Sequence, residues 1–157
     1  VSLHPVSYRI SKAAIDAVDF ISYQCYGPAI ARFPFEQFVK DGKEAVAYGI
    51  PKEKLVMGVP FYGSKGNGVA GTTGYWNLVT ESPQLSDTSL DLWNGYTFNG
   101  QSTIRKKTQY VCDEGYGGIM SWDLATDVDI THPKSLLKVV KEVLDTYVPG
   151  TTSTEEK

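Results

Sequence analysis

At 157 residues the chain has the length of one domain and falls well short of the roughly 250 residues that a complete eight-fold α/β barrel needs. Fifteen basic residues against 18 acidic ones leave a formal charge of -3, and no Lys/Arg run follows an apolar stretch, so neither nucleic acid nor a membrane surface is expected as a partner. Cys25 and Cys112 lie far apart and only two histidines accompany them, which rules out the usual zinc-ligand spacings; no metal and no cofactor are expected, and both thiols are expected free and buried.

Residues 1–5 followed by 11–17 read as the trailing edge of a strand-and-helix unit. Residues 19–26, DFISYQCY, form a continuous apolar and β-branched run, as expected of a strand covered on both faces. Period two puts Gln24 and Tyr26 on one face of that strand and Cys25 on the other, towards a helix layer. Pro34 starts a helix whose stripe of Phe35, Phe38, Val39, Gly42 and Val46 stops at Gly49. Residues 54–62, KLVMGVPFY, give a second strand with Gly58, Pro60 and Tyr62 on one face, and Pro60 marks its end because proline cannot donate to a ladder.

Gly, Asn, Ser and Thr dominate residues 63–100, which read as a long decorated loop with a short helix over 75–81 and a hairpin turn at Asn94-Gly95. Trp76, Trp93, Tyr96 and Phe98 serve equally well as extra ligand contacts or as the hydrophobic anchor of that loop. Ile104, Thr108, Val111, Cys112 and Gly115 trace another helix, and residues 117–123, GGIMSWD, a third strand with Met120 and Trp122 on one face. Thr131 or His132 with Pro133 caps a last helix carried by Leu136, Leu137, Val140, Val143, Leu144 and Tyr147, and residues 149–157 form a flexible tail.

Strand and helix therefore alternate three times behind a partial fourth unit, which implies a parallel sheet. Each complete strand ends in an aromatic residue before a polar loop. Because ligands in parallel α/β folds sit at the carboxyl ends of the strands, Tyr26, Tyr62 and Trp122 are expected to converge on one cleft.

The three strand ends resemble three consecutive blocks of family 18 glycoside hydrolases, the chitinase family. DFISYQCYG at 19–27 is similar to the sixth-strand block, usually Asp-Tyr-Ile-Asn-x-Met-x-Tyr-Asp, and KLVMGVPFYG at 54–63 to the seventh-strand block, which normally continues with arginine. GGIMSWD at 117–123 resembles the eighth-strand block, whose tryptophan floors the sugar subsite beside the cleaved bond. Weaker similarity over 96–108 bridges the last two blocks. Gln24 stands in place of the commoner methionine, as in some plant-type members, Gly27 in place of aspartate and Ser64 in place of arginine. The fourth-strand signature Asp-x-x-Asp-x-Asp-x-Glu is absent and by strand order would lie upstream of Val1, a start that has the form of a fragment or a processed chain.

The resemblance implies an α/β fold that is the C-terminal half of a (β/α)8 TIM barrel, from the end of strand 5 to helix 8, with residues 1–148 as its domain. It implies a parent glycosidase that cleaves β-1,4-linked N-acetylglucosamine polymers with retention, the substrate's own N-acetyl oxygen being the nucleophile and the catalytic acid lying outside this chain. Tyr26 takes the place of the catalytic-site tyrosine that orients the acetamido group; Gln24, Tyr62, Trp122 and Asp123 are the expected substrate contacts. Asp127 and Asp129 read as helix-capping or solvated carboxylates. A lectin-like relative that only holds N-acetylglucosamine, and an enzyme acting on N-glycan cores or peptidoglycan, are the other readings. Expected partners are chitin or a related glycan and either the missing N-terminal half or a second copy, since an open half-barrel exposes strand edges. A secreted, periplasmic or cell-surface location follows from the resemblance alone.

Overall fold

The computed structural model describes residues 1–27, 29–66, 68–82 and 88–149, so the expected flexible tail lies, apart from Pro149, outside the described residues. Four parallel strands form the main sheet in the order β1 (Ser2–Leu3), β2 (Ile21–Tyr23), β3 (Leu55–Pro60) and β8 (Gly118–Trp122). Tyr23 lies opposite Met57, Met57 opposite Ile119, and Pro60 opposite Trp122. Helices α1 (Lys12–Ala17), α2 (Phe35–Tyr48) and α4 (Gln101–Asp113) fill the crossovers, and α5 (Leu136–Thr146) follows β8. The sheet is parallel, as the alternation of elements implies.

The two sides of the sheet carry different residues because successive side chains alternate. Ile21, Tyr23, Cys25, Leu55, Met57 and Val59 have no solvent exposure and belong to the core with Phe38, Ala45, Ile104, Val111, Leu136 and Val139 of the helices. Gln24, Tyr26, Gly58, Met120 and Trp122 take the other side. A Cβ on Gly58 would come within 2.7 Å of Tyr26 Cε1 and 3.1 Å of Met120 Cε, so glycine there makes room for the tyrosine ring.

Helix α2 begins after Pro34 and closes at Gly49, whose φ of 117° is the left-handed conformation that glycine takes freely. Its buried face is Phe38, Asp41, Gly42 and Ala45, rotated slightly from the expected stripe so that Asp41 enters the core against Arg32 Nη1 at 2.8 Å and Gln37 Nε2 at 2.7 Å. Helix α4 buries Lys107, which periodicity does not single out, between Ile104 and Thr108. Its ammonium donates to the Phe33 carbonyl and to Asn99 Oδ1, both at 2.7 Å, and lies 4.9 Å from the centre of the Phe38 ring. Burial pulls its pKa down to about 7, against opposing effects from Cys25, Asp91, Asp41 and Glu36.

Several expectations need correction. The second strand stops at Pro60 as foreseen, but Tyr62 is not its continuation. At Phe61 the chain turns away, donating Phe61 N–H to the Trp122 carbonyl at 2.8 Å, and Tyr62 opens a separate antiparallel sheet. That sheet, in the order β5 (Thr72–Gly74), β4 (Tyr62–Ser64), β7 (Tyr96–Thr97) and β6 (Leu92–Trp93), occupies the stretch expected to be a loop. Its strands of two or three residues are too short to show a period. Within it, α3 (Tyr75–Glu81) and the hairpin turn at Asn94 (φ 48°) and Gly95 (φ 77°) match the sequence reading. The cap of α5 is Ser135, whose Oγ accepts from Lys138 N at 3.1 Å, rather than residues 131–133. Cys25 is buried and free, whereas Cys112 is only half-buried because it sits at the edge of the α4 stripe. No helix among the described residues is long and apolar enough to cross a membrane.

Candidate functional site

The carboxyl ends of the parallel strands and the antiparallel sheet enclose a cleft of about 450 Å³. Gln24, Tyr26, Tyr62, Trp122 and Asp123, the five residues singled out from the sequence, all line it. His4, Gly27, Ser64, Thr126 and the residues Thr72, Thr73 and Gly74 complete much of its wall.

Tyr26 lies three residues beyond the end of β2, with its ring over Gly58 and almost buried. Its hydroxyl contacts Met120 Sδ at 3.7 Å, a weak acceptor that leaves the O–H available to a ligand. Tyr62 meets it edge to face, ring centres 6.4 Å apart, and is backed in turn by Phe33 at 5.5 Å. Burial, and then the neighbouring Tyr62, push the Tyr26 pKa well above the usual phenol range; burial alone pushes that of Tyr62 up to about 12. Both phenols are thus neutral hydrogen-bond donors at physiological pH.

The departure at Gly27 now has a physical reason. A Cβ at this position would overlap the Tyr62 hydroxyl, so glycine here and tyrosine at 62 form a matched pair. Gln24 Nε2 donates to Ser2 Oγ at 2.8 Å, which turns its side chain along the strand ends. Trp122 closes β8 and is 56% exposed, an indole face open to the cleft. Asp123 follows it across a cis peptide, and its Oδ1 is buried without a partner among the described residues. Thr126 Oγ1 lies 2.7 Å from the Phe61 carbonyl and 2.8 Å from that of Asp123, joining the loop after β8 to the start of the antiparallel sheet.

Other candidates fall away from the cleft. Asp127 caps α5: its carboxylate accepts from the backbone N–H of Leu136 and Leu137 at 3.1 and 2.9 Å and from Ser135 Oγ at 2.9 Å. Asp129 accepts from the N–H and hydroxyl of Thr131, bonds that hold its carboxyl below the usual range. Phe98 is fully buried, and Trp93 and Tyr96 pack against the core, so these three anchor the antiparallel sheet. Trp76 is 46% exposed, and its indole nitrogen comes within 2.8 Å of where a Gly74 side chain would begin. His4 and the wall residues 72–74 carry no sequence signal, because what places them is tertiary. Among the described residues no group of three His, Cys, Asp or Glu side chains could hold a metal ion.

Comparison with known proteins adds independent findings. Residues 6–127 match the family model described as glycosyl hydrolases family 18. Chitinase A1 of Niallia circulans is 28% identical over 56% of this chain and 18% of its own length, and an endochitinase of Brugia malayi 26% identical over 50% and 22%. A solved structure, the chitinase ChiB from the chitin utilization locus of Flavobacterium johnsoniae, is 27% identical and superposes with a TM-score of 0.75 over 90% of this chain and 48% of that one. The chain thus spans about half of that solved relative and about a fifth of the two other proteins.

Proposed function

The chain belongs to family 18 of the glycosyl hydrolases and folds as the C-terminal half of a (β/α)8 barrel, and on that footing we propose that it supplies half of the active site of a chitin-cleaving enzyme. The observation that carries this reading is the meeting of Tyr26, Tyr62 and Trp122 in one cleft at the carboxyl ends of β2, β3 and β8.

In substrate-assisted hydrolysis the sugar's N-acetyl oxygen attacks the anomeric carbon while a carboxylic acid protonates the leaving oxygen. Tyr26 has the attributes of the acetamido clamp: a rigidly packed ring, a neutral hydroxyl and only a thioether as competing acceptor among the described residues. A hydrogen bond to the acetamido group holds it in line for attack, and the orientation is fixed before reaction. Trp122 stacks beneath the sugar ring, Tyr62 and Gln24 flank it, and Asp123 completes the wall beside Trp122. Among the described residues Asp123 is the single carboxylate lining the cleft, and it sits in the strand-8 loop; the proton donor is assigned to the fourth-strand signature of the family, outside this chain. β1 and β8 are the outer strands of the parallel sheet, and the N-terminal half of the barrel is the natural complement to those edges.

The test is reconstitution. The 157-residue chain alone should not turn over a chromogenic chitobioside. Mixed with a polypeptide carrying the first four barrel strands, it should sediment as a complex and recover turnover, which Tyr26→Phe should lower about 100-fold. Turnover by the isolated chain would refute the assignment of the acid; a complex that binds the sugar but never cleaves it would favour a lectin-like role.

A further inference from the structure

His4 follows the first parallel strand and reaches across to the site. Its Nε2 lies 2.9 Å from the Tyr26 carbonyl and 2.6 Å from the Gly27 carbonyl, while its Nδ1 lies 3.2 Å from the backbone nitrogen of Val6. Carbonyls only accept and the Val6 N–H only donates, so the pattern assigns the proton to Nε2 and leaves Nδ1 bare. The turn that carries the ring is itself closed by Ser7 N–H donating to the His4 carbonyl at 2.7 Å.

We propose that His4 is a positioning residue for the site: its single N–H pins the Tyr26–Gly27 main chain and thereby fixes the Tyr26 and Tyr62 hydroxyls relative to one another. The imidazole lines the cleft, yet both nitrogens are engaged by main-chain groups, so it has no proton to offer a leaving group. What it fixes is informative. Gly27 abuts the Tyr62 hydroxyl, and Tyr26 carries the hydroxyl whose protein contact is a thioether, so movement of this one peptide would displace both donors. The same end of β1 makes two further links to the end of β2, Gln24 N–H to the Leu3 carbonyl and Gln24 Nε2 to Ser2 Oγ, each at 2.8 Å. A side chain that supports a ligand-contacting residue in this way preorganises it. The functional weight of the inference rests on the sugar-cleft reading; the brace itself does not.

The experiment compares the 157-residue chain with His4→Phe, which keeps the ring and removes the donor, and with His4→Gln, whose amide nitrogen reaches where Nε2 stood. Long-range nitrogen–proton NMR of the wild-type imidazole should show the proton on Nε2 and none on Nδ1. The Tyr26 ring signals should move in His4→Phe and return in His4→Gln. Binding of tri-N-acetylchitotriose should weaken about tenfold in the first and stay within about threefold of wild type in the second. An Nδ1–H imidazole, or Tyr26 signals indifferent to His4→Phe, would overturn the brace even if the sugar binds. If the wild type ignores the sugar while the ring form and Tyr26 signals behave as stated, the brace stands and the sugar reading falls. Should His4→Phe fail to fold, the wild-type ring form and His4→Gln still decide.

Discussion

The cleft is walled by two sheets of different construction. The parallel sheet is continuous with the core: Tyr23, Leu55, Met57 and Val59 have no exposure, and helices cover the side they share. The antiparallel sheet has strands of two or three residues, half-exposed, and draws its stability from a few anchors, Phe61, Tyr75, Leu78 and Phe98, sunk into that same core. Of the residues proposed to meet the sugar, Tyr26 and Trp122 stand on or just beyond the rigid sheet, whereas the other sheet contributes Tyr62 at its root and mostly threonine and glycine beyond it. On the proposed reading the contrast is a division of labour in which one sheet fixes the sugar-contacting groups and the other shapes the wall.

That division should be visible in stability. Phe38→Ala, at a fully buried position between α2 and the parallel sheet, should remove about 3–5 kcal/mol from urea unfolding, while Trp93→Ala on the antiparallel sheet should remove about 1 kcal/mol. Equal losses would mean that the two sheets form one cooperative unit with no softer member.

A second probe lies where the sheets are tied together. Lys107 joins Asn99, at the exit of the antiparallel sheet, to Phe33, and burial lowers its pKa from 10.5 to about 7. Below pH 7 both folded and unfolded chains carry the charge, so the full cost of burying it is present. Between pH 7 and about 9 the unfolded chain keeps a proton that the folded chain has released, so stability should rise with pH by up to about 1.4 kcal/mol per unit. Above about pH 9 the rise is offset and then reversed, because unfolding lets first Cys25, whose thiol burial pushes up, and then tyrosines such as Tyr62, held up to about 12, ionise. Lys107→Met should flatten the rise below about pH 9, whatever it does to the baseline; an unchanged slope would locate the titration elsewhere.

A substitution at the cleft separates shape from stability. Gly27→Ala forces the Tyr62 hydroxyl aside and should cost about 1–3 kcal/mol, with a larger proportional loss of N-acetylglucosamine oligomer binding than Trp93→Ala causes. If the two substitutions weaken sugar binding alike, the Tyr26–Tyr62 geometry is not what the ligand reads.

The same contrast explains what could be read in advance. Strands covered on both faces show in sequence as charge-poor runs, so VMGV and GIMSW were legible, and with them the alternation that brings Tyr26 and Trp122 to one end. The hairpin was legible too, since Asn94-Gly95 encodes its own left-handed turn. The antiparallel sheet was not, because Thr72–Gly74 and Tyr96–Thr97 are too short for periodicity. Nothing in the spacing marks Lys107 as a core residue, yet its long stem crosses the core to reach a carbonyl 74 residues away. His4 was silent for the same reason: its partners are main-chain groups, and main-chain atoms leave no trace in a sequence.

The most direct test of the central claim is an NMR titration of the 157-residue chain with tri-N-acetylchitotriose. Perturbations should concentrate at Tyr26, Tyr62, Trp122 and Asp123, with Phe35 and Trp93 unmoved. Perturbations absent from those four residues, or centred on the outer groove around Phe35 and Lys106, would contradict it.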